Sequence, residues 1–200
     1  MIKRDVIVIG ASAGGVKALT AIVGGLPRDL SASVFVVLHV SPHKPSTLPT
    51  ILGRAGPLEV VHAQDGEVVR NGKIYVAPPD RHLLLETDKI AVRRGPKENR
   101  FRPSVDALFR SAADVYGSRA IGVILSGLLD DGTSGLRSIK RLGGIGIVQK
   151  PEDARYPQMP RNALDNVEIE HVCRATEIGA LLAKLVGETS PLQSNDGDCI

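Results

Sequence analysis

Nearly continuous runs of β-branched and aliphatic residues recur along the chain, and between them the apolar positions return every three or four residues. Val6-Ile7-Val8-Ile9, Ser33-Val34-Phe35-Val36-Val37-Leu38-His39 and Ala120-Ile121-Gly122-Val123-Ile124-Leu125-Ser126 are such runs, each closed by small or turn-forming residues. This is the pattern of strands buried on both faces. Gly15 to about Gly25 has helical spacing, as does Ser104 to about Tyr116, where Val105, Leu108, Phe109, Ala112 and Ala113 share one face and Ser104 stands as the N-cap. Shorter helices are expected at Pro45 to Leu52, Leu136 to Leu142 and around Asn162, a strand at Gly144 to Val148, and a closing helix at Ala175 to Val186. The alternation predicts an α/β fold, a doubly wound and mostly parallel Rossmann-like sheet with helices on both faces.

The middle of the chain has a different texture. Leu58 to His62 and Lys73 to Ala77 are strand candidates, with Asp65-Gly66 and Asn71-Gly72 as turn signals between them. Leu83 to Glu86 and Lys89 to Val92, joined by Thr87-Asp88, predict a hairpin that adds antiparallel strands at one edge of the sheet. Val167 to His171 reads as the last strand. Residues 1–187 are expected to form one domain and residues 188–200, rich in Ser, Asn, Asp and Gly, a disordered tail.

Composition narrows the partners more than the fold. The 200 residues are 42% hydrophobic, enough for one substantial core. A net charge of +3, no Trp and only three Phe and three Tyr argue against a stacking platform, so no nucleic-acid partner is expected. Cys173 and Cys199 lie too far apart for a metal spacing or a disulfide framework, which makes a reducing cytoplasm the simplest compartment. No apolar stretch is long enough to span a membrane or form a signal peptide, and a monomer is favoured. Arg93 to Pro103 is a basic loop with four arginines and one lysine, either a solvated surface or an anchor for an acidic partner.

The chemistry gathers at the first strand-to-helix corner, Ile9-Gly10-Ala11-Ser12-Ala13-Gly14-Gly15. A helix N-terminus there favours an anion or developing negative charge. Three readings compete: a dinucleotide loop, a nucleophile turn, or tight packing alone. A dinucleotide loop needs G-x-G-x-x-G and an acidic residue at the end of the second strand, whereas Ser12 holds the middle glycine position and His39 ends the strand. Neighbouring strands in such a sheet would bring Ser12, His39 and either Asp130 or Asp131 to one edge, supplying nucleophile, general base and orienting carboxylate. Gly10-Ala11-Ser12-Ala13-Gly14 also fits G-x-S-x-G, but the order Ser, His, Asp is not that of the α/β-hydrolases.

Several separated motifs together resemble the catalytic domain of the bacterial chemotaxis protein-glutamate methylesterases. They are the turn Ile9 to Gly15, the strand ending in His39, Ala77-Pro78-Pro79-Asp80-Arg81-His82-Leu83, Arg102-Pro103-Ser104-Val105-Asp106 with Leu108-Phe109, Gly122 to Gly127 leading to Asp131-Gly132, and Met159-Pro160-Arg161. The resemblance spans roughly Val6 to Val186. It implies a serine hydrolase that removes methyl esters from glutamate side chains of methyl-accepting chemoreceptors, or of a related methylated protein, and often deamidates receptor glutamines. It places the nucleophile on Ser12, the histidine on His39 and the aspartate on Asp131, with oxyanion contacts from the backbone N–H groups of Ala13 and Leu128. No metal or cofactor is implied. His82, Arg102 and Met159 become candidate substrate contacts, and basic residues among Arg93, Arg94, Arg100 and Arg102 would suit an acidic receptor.

The pattern is not followed everywhere. Ala13 stands where the family has Thr or Ser, Leu38-His39-Val40 where Gln-His-Met is usual, and Ser126-Gly127-Leu128-Leu129 where the sequence is of Thr-Gly-Met-Gly type. The family's usual phosphoacceptor receiver domain is not seen before the first strand, so a stand-alone domain or a trimmed one is expected. A stand-alone enzyme would act constitutively, through a regulator in trans, or in a sensory system outside chemotaxis. A binding module that keeps the fold without the chemistry, and an esterase for a different methyl ester, are the alternatives.

Overall fold

A computed structural model describes residues 3–40 and 45–187. The expected tail and Ser41-Pro42 lie outside the described residues. The elements run β1 (Val6–Ala11), α1 (Gly15–Gly24), β2 (Ser33–Leu38), α2 (Leu48–Gly53), β3 (Glu59–His62), β4 (Lys73–Val76), β5 (His82–Glu86), β6 (Lys89–Arg93), α3 (Val105–Tyr116), β7 (Ala120–Ile124), α4 (Thr133–Arg141), β8 (Ile145–Gln149), α5 (Gln158–Asn166), β9 (His171–Cys173) and α6 (Ala175–Gly187). Seven strands form one sheet in the order β3-β4-β2-β1-β7-β8-β9, and every pairing in it is parallel.

Alternation along each strand sorts the core into two layers. Ile7, Ile9 and Ala11 of β1 face Leu19, Ile22 and Val23 of α1, Leu52 of α2 and Ile178 and Leu182 of α6. Val6 and Val8 face the opposite layer, where Leu108, Phe109 and Ala112 of α3 meet Leu136 and Ile139 of α4 and Met159 and Ala163 of α5. The chain leaves β1 towards β2 on one side and resumes at β7 on the other, so the topological switch lies between β1 and β7. In open parallel sheets the crevice at the carboxyl ends of the strands flanking such a switch is where ligands bind.

Two expectations shift. The hairpin β5–β6 is present and antiparallel, but it forms its own two-stranded sheet instead of extending an edge. Leu83, Leu85 and Ile90 bury against the α3 layer, and the Leu85 N–H donates to the Ser111 hydroxyl at 3.0 Å, which in turn donates to the Leu108 carbonyl at 2.9 Å. One sheet edge is instead the parallel pair β3–β4. The last strand is His171–Cys173, four residues later than the Val167 start expected, because Val167 closes α5 with its N–H on the Ala163 carbonyl.

Close approach of α3 to the sheet depends on Gly10. A Cβ there would stand 2.2 Å from Val105 Cγ1, at the first residue of the helix. Gly10→Ala is expected to lower stability by about 2–3 kcal/mol through this overpacking. Urea denaturation measures it, and an unchanged midpoint would mean that α3 can move away freely.

Candidate active site

Backbone hydrogen bonds tie three strand ends together at the switch. The His39 N–H donates to the Ala11 carbonyl at 3.2 Å, Leu125 N–H to Gly10 at 2.9 Å, and Ser12 N–H to Ser126 at 3.0 Å. Gly14 follows with φ 74 and caps α1; a Cβ there would be both strained and 2.8 Å from Ser126 Oγ. The serine is thereby fixed at the mouth of the first helix, beside the end of β2.

There the imidazole of His39 bridges the two other side chains named from sequence. Nδ1 lies 3.1 Å from Ser12 Oγ and Nε2 lies 2.8 Å from Asp131 Oδ2. With the Nε2–H given to the carboxylate, the Nδ1 lone pair is left to accept the serine proton. The His39 side chain is only 6% exposed and Asp131 is fully buried. Asp130, the competing candidate, is exposed and lies outside this line.

Both oxygens of Asp131 are occupied. Oδ2 accepts from the Val105 N–H at 2.7 Å as well as from His39; Oδ1 accepts from the Ser104 hydroxyl at 2.9 Å, the Asp106 N–H at 3.1 Å and Asn99 Nδ2 at 3.0 Å. Ser104 holds the N-cap position of α3 as expected, but its hydroxyl does not cap the helix. Asp131 does so from another segment, covering the first free N–H groups of α3. In return Asp106, in the first turn of α3, accepts from the Gly132 N–H at 3.1 Å and the Gly135 N–H at 2.6 Å at the start of α4. Each of the two neighbouring helices is thus capped by an aspartate from the other's N-terminal segment.

These bonds decide the electrostatics. Burial alone would raise the Asp131 pKa, yet the His39 bond, the Val105 and Asp106 N–H groups and the Asn99 amide hold it below the ordinary carboxylate value. Asp106 goes the other way: burial raises it against the Gly135 N–H, and the Asp131 charge adds to the rise. Of the two, the carboxylate that faces the imidazole is the one whose ionised form is favoured.

Sequence reasoning missed two contributors, both in the basic loop. The Glu98 and Phe101 backbones exchange hydrogen bonds at 3.1 and 2.8 Å, and Asn99 and Arg100 between them have φ of 49 and 72. This turn sends the Asn99 amide to Asp131 and to Asp106, and stacks Phe101 on His39 with ring centroids 3.6 Å apart and planes 9° from parallel. The only signal in the sequence is an asparagine suited to positive φ in a loop without period. Phe101→Ala is expected to cost about 1–2 kcal/mol of stability from lost stacking and burial, and to slow any reaction needing an oriented imidazole. Thermal melting together with labelling kinetics would show it; wild-type values for both would mean the stack is idle.

The candidate substrate contacts are placed otherwise. His82 is buried, its Nε2–H donating to the Pro96 carbonyl at 2.8 Å while Nδ1 accepts from Ser104 N–H at 3.3 Å. Arg102 is held by Asp80, with Nε at 2.9 Å from Oδ1, and by the Gly95 carbonyl. Arg94 also pairs with Asp80, and Arg93 with Asp65 and Glu86, so these arginines brace the loop. Met159 is fully buried against Gly127, where an added Cβ would lie 2.0 Å from its Sδ and 2.9 Å from Ser12 Cβ. His82, Arg102 and Met159 therefore support the walls of the site, the first two under the basic loop and the last behind the serine. Ala13 follows Ser12 in the turn after β1, Leu128 follows Gly127 in the turn after β7, and among the described residues nothing accepts from either backbone N–H. No group of three or more His, Cys, Asp or Glu among the described residues is arranged to hold a metal ion.

An imidazole between a hydroxyl and an ionised buried carboxylate can take the hydroxyl proton and return it to a leaving group. Known proteins are similar to this chain over most of its length. The family model for CheB methylesterase matches residues 7–182. A putative protein-glutamate methylesterase/protein-glutamine glutaminase of Leptospira interrogans is 37% identical over 182 residues, 90% of this chain and 94% of that protein. Protein-glutamate methylesterase/protein-glutamine glutaminase 2 of Anaeromyxobacter dehalogenans is 38% identical over 181 residues, again 90% of this chain but 53% of that protein. The crystal structure of the Thermotoga maritima CheB methylesterase catalytic domain superposes with a TM-score of 0.87 at 34% identity, covering 93% of this chain and 100% of that one. With residues of the first strand through the last helix included in the match, the chain belongs to the CheB methylesterase family.

Proposed function

We propose that the chain is a protein-glutamate methylesterase that cleaves γ-methyl esters of glutamate side chains on a methylated chemoreceptor. The single observation that supports this most is the unbroken line from Ser12 Oγ through His39 to Asp131, at 3.1 and 2.8 Å. His39 Nδ1 takes the Ser12 proton as Oγ attacks the ester carbonyl. The carbonyl oxygen becomes an oxyanion beside the Ala13 and Leu128 N–H groups and the N-terminus of α1, which favours negative charge. Nδ1 then gives the proton to the methoxy oxygen and methanol leaves. A water loses a proton to His39 and attacks the acyl-serine, and the proton returns to Ser12 as the glutamate carboxylate departs.

Asp131 stays ionised throughout, fixing the tautomer and supporting the imidazolium. The same steps release ammonia from a glutamine side chain, so deamidation needs no further residue. No metal or cofactor enters the scheme.

Labelling with a fluorophosphonate, read by intact mass, tests the nucleophile; methanol release from methylated receptor membranes tests the substrate. Adduct formation on the wild type and none on Ser12→Ala is the expected result. Labelling of neither would leave the chain as a binding module of this fold, and equal labelling of both would mean that a residue other than Ser12 reacts. Labelling without methanol release would point to a different methyl ester.

A further inference from the structure

The segment carrying Leu128 has little to hold it by burial. Leu128 and Leu129 are 43% and 44% exposed, and Asp130 is exposed as well. Leu129 moreover has φ 65, a left-handed conformation that a leucine adopts at a cost. What holds it is one face of α5. Gln158 and Asn162, four residues apart and so adjacent on the helix surface, grip both polar groups of the Leu129 backbone. The Leu129 N–H donates to Gln158 Oε1 at 3.1 Å, and Asn162 Nδ2 donates to the Leu129 carbonyl at 2.7 Å. The approach to the loop is tied to the same region, with Gly127 N–H on the Tyr156 carbonyl at 2.9 Å and Met159 N–H on the Gly127 carbonyl at 3.1 Å. Between these anchors the Leu128 N–H is left without an acceptor among the described residues.

We propose that Gln158 and Asn162 are positioning residues that force Leu129 into the left-handed region and thereby aim the Leu128 N–H at the reacting carbonyl oxygen. The inference rests on the methylesterase reading, in which Leu128 is an oxyanion donor. A donor displaced by a fraction of an ångström stabilises the transition state less while leaving ground-state binding nearly intact.

Both side chains also line a cavity of about 530 Å³ beside Asp130 and Arg137, so direct contact with substrate is the competing role. Isosteric changes separate the two. Gln158→Met keeps the length of the side chain but removes the acceptor of the Leu129 N–H, and should lower kcat with little change in KM. Asn162→Asp sets an oxygen against the Leu129 carbonyl and should lower kcat, and the rate of fluorophosphonate inactivation, by about 10- to 100-fold with little change in KM or in the pH profile. Adding Leu129→Gly to Asn162→Asp should restore much of that rate, because glycine accepts positive φ without the clamp. Thermal melting of each variant confirms that it is folded.

A raised KM with kcat kept would overturn the proposal in favour of substrate binding. So would no recovery with Leu129→Gly, or wild-type kinetics for Asn162→Asp. If the wild type itself shows no Ser12-dependent labelling, the methylesterase reading fails first, an outcome distinct from labelling that proceeds equally well without the clamp.

Discussion

Ser12→Ala is expected to lower ester hydrolysis by about a millionfold, the scale seen when the nucleophile of a serine triad is removed, while leaving stability within about 1 kcal/mol of the wild type. The hydroxyl makes one side-chain contact, to His39 Nδ1, and its loss exposes no backbone donor. Alanine is already the residue on either side of it. Single-turnover hydrolysis of a small methyl ester, with a denaturation curve on the same sample, measures both quantities. A loss of only tenfold or so would show that another group attacks the carbonyl.

Asp131→Ala should differ in kind, because it is expected to lose activity and stability together. Without the carboxylate, His39 has no fixed tautomer and catalysis should fall by about 10⁴-fold. The Val105 and Asp106 N–H groups, the Ser104 hydroxyl and the Asn99 amide lose their acceptor at the same time. A lost cap is worth about 1 kcal/mol and a buried orphan about 1–3 kcal/mol, so a loss of about 3 kcal/mol is expected after partial relaxation. Asp131→Asn keeps the shape but sets an amide donor against one of these donors, and should fall between.

The pH dependence carries a definite sign. The folded pKa of Asp131 lies below the ordinary carboxylate value. Its ionised form therefore adds stability above the unfolded value of about 3.9, and that contribution drains away as pH falls through the lower folded value. The gap in stability between wild type and Asp131→Asn should thus be full near neutrality and narrow below about pH 4. A gap that stays constant down to acid pH would mean the carboxylate is not ionised in the fold. Asp106, raised by burial, works in the opposite direction and loses stability as it ionises.

The parallel strands were legible because burial on both faces leaves an unbroken apolar run, as in Val34 to Leu38. Ser12, His39 and Asp131 were legible for a related reason: each follows such a run or the turn after it, and in this topology those ends converge. Parallel pairing of β3 with β4 was not, since the turn pairs Asp65-Gly66 and Asn71-Gly72 mark a reversal without saying which strand receives the chain. Nor was the cap on α3. Ser104 is a fitting local cap, and only tertiary structure could bring a stronger acceptor from a residue far along the chain. Asn99 and Phe101 lie in a loop with no periodicity, and the basic charges around them suit a solvated surface or an anchor for an acidic partner equally, with no local sign that Asp80, Asp65 and Glu86 pair with Arg94, Arg102 and Arg93.

The exchange of aspartates between α3 and α4 constrains how a lineage could abandon this chemistry. A descendant retired to pure recognition could lose its serine in one step and remain as sturdy as its ancestor. Losing Asp131 would uncap the start of α3 and demand a second substitution to repair it. Inactive copies descended from such a chain are therefore expected to discard the nucleophile first and to carry the acid long afterwards as a structural relic.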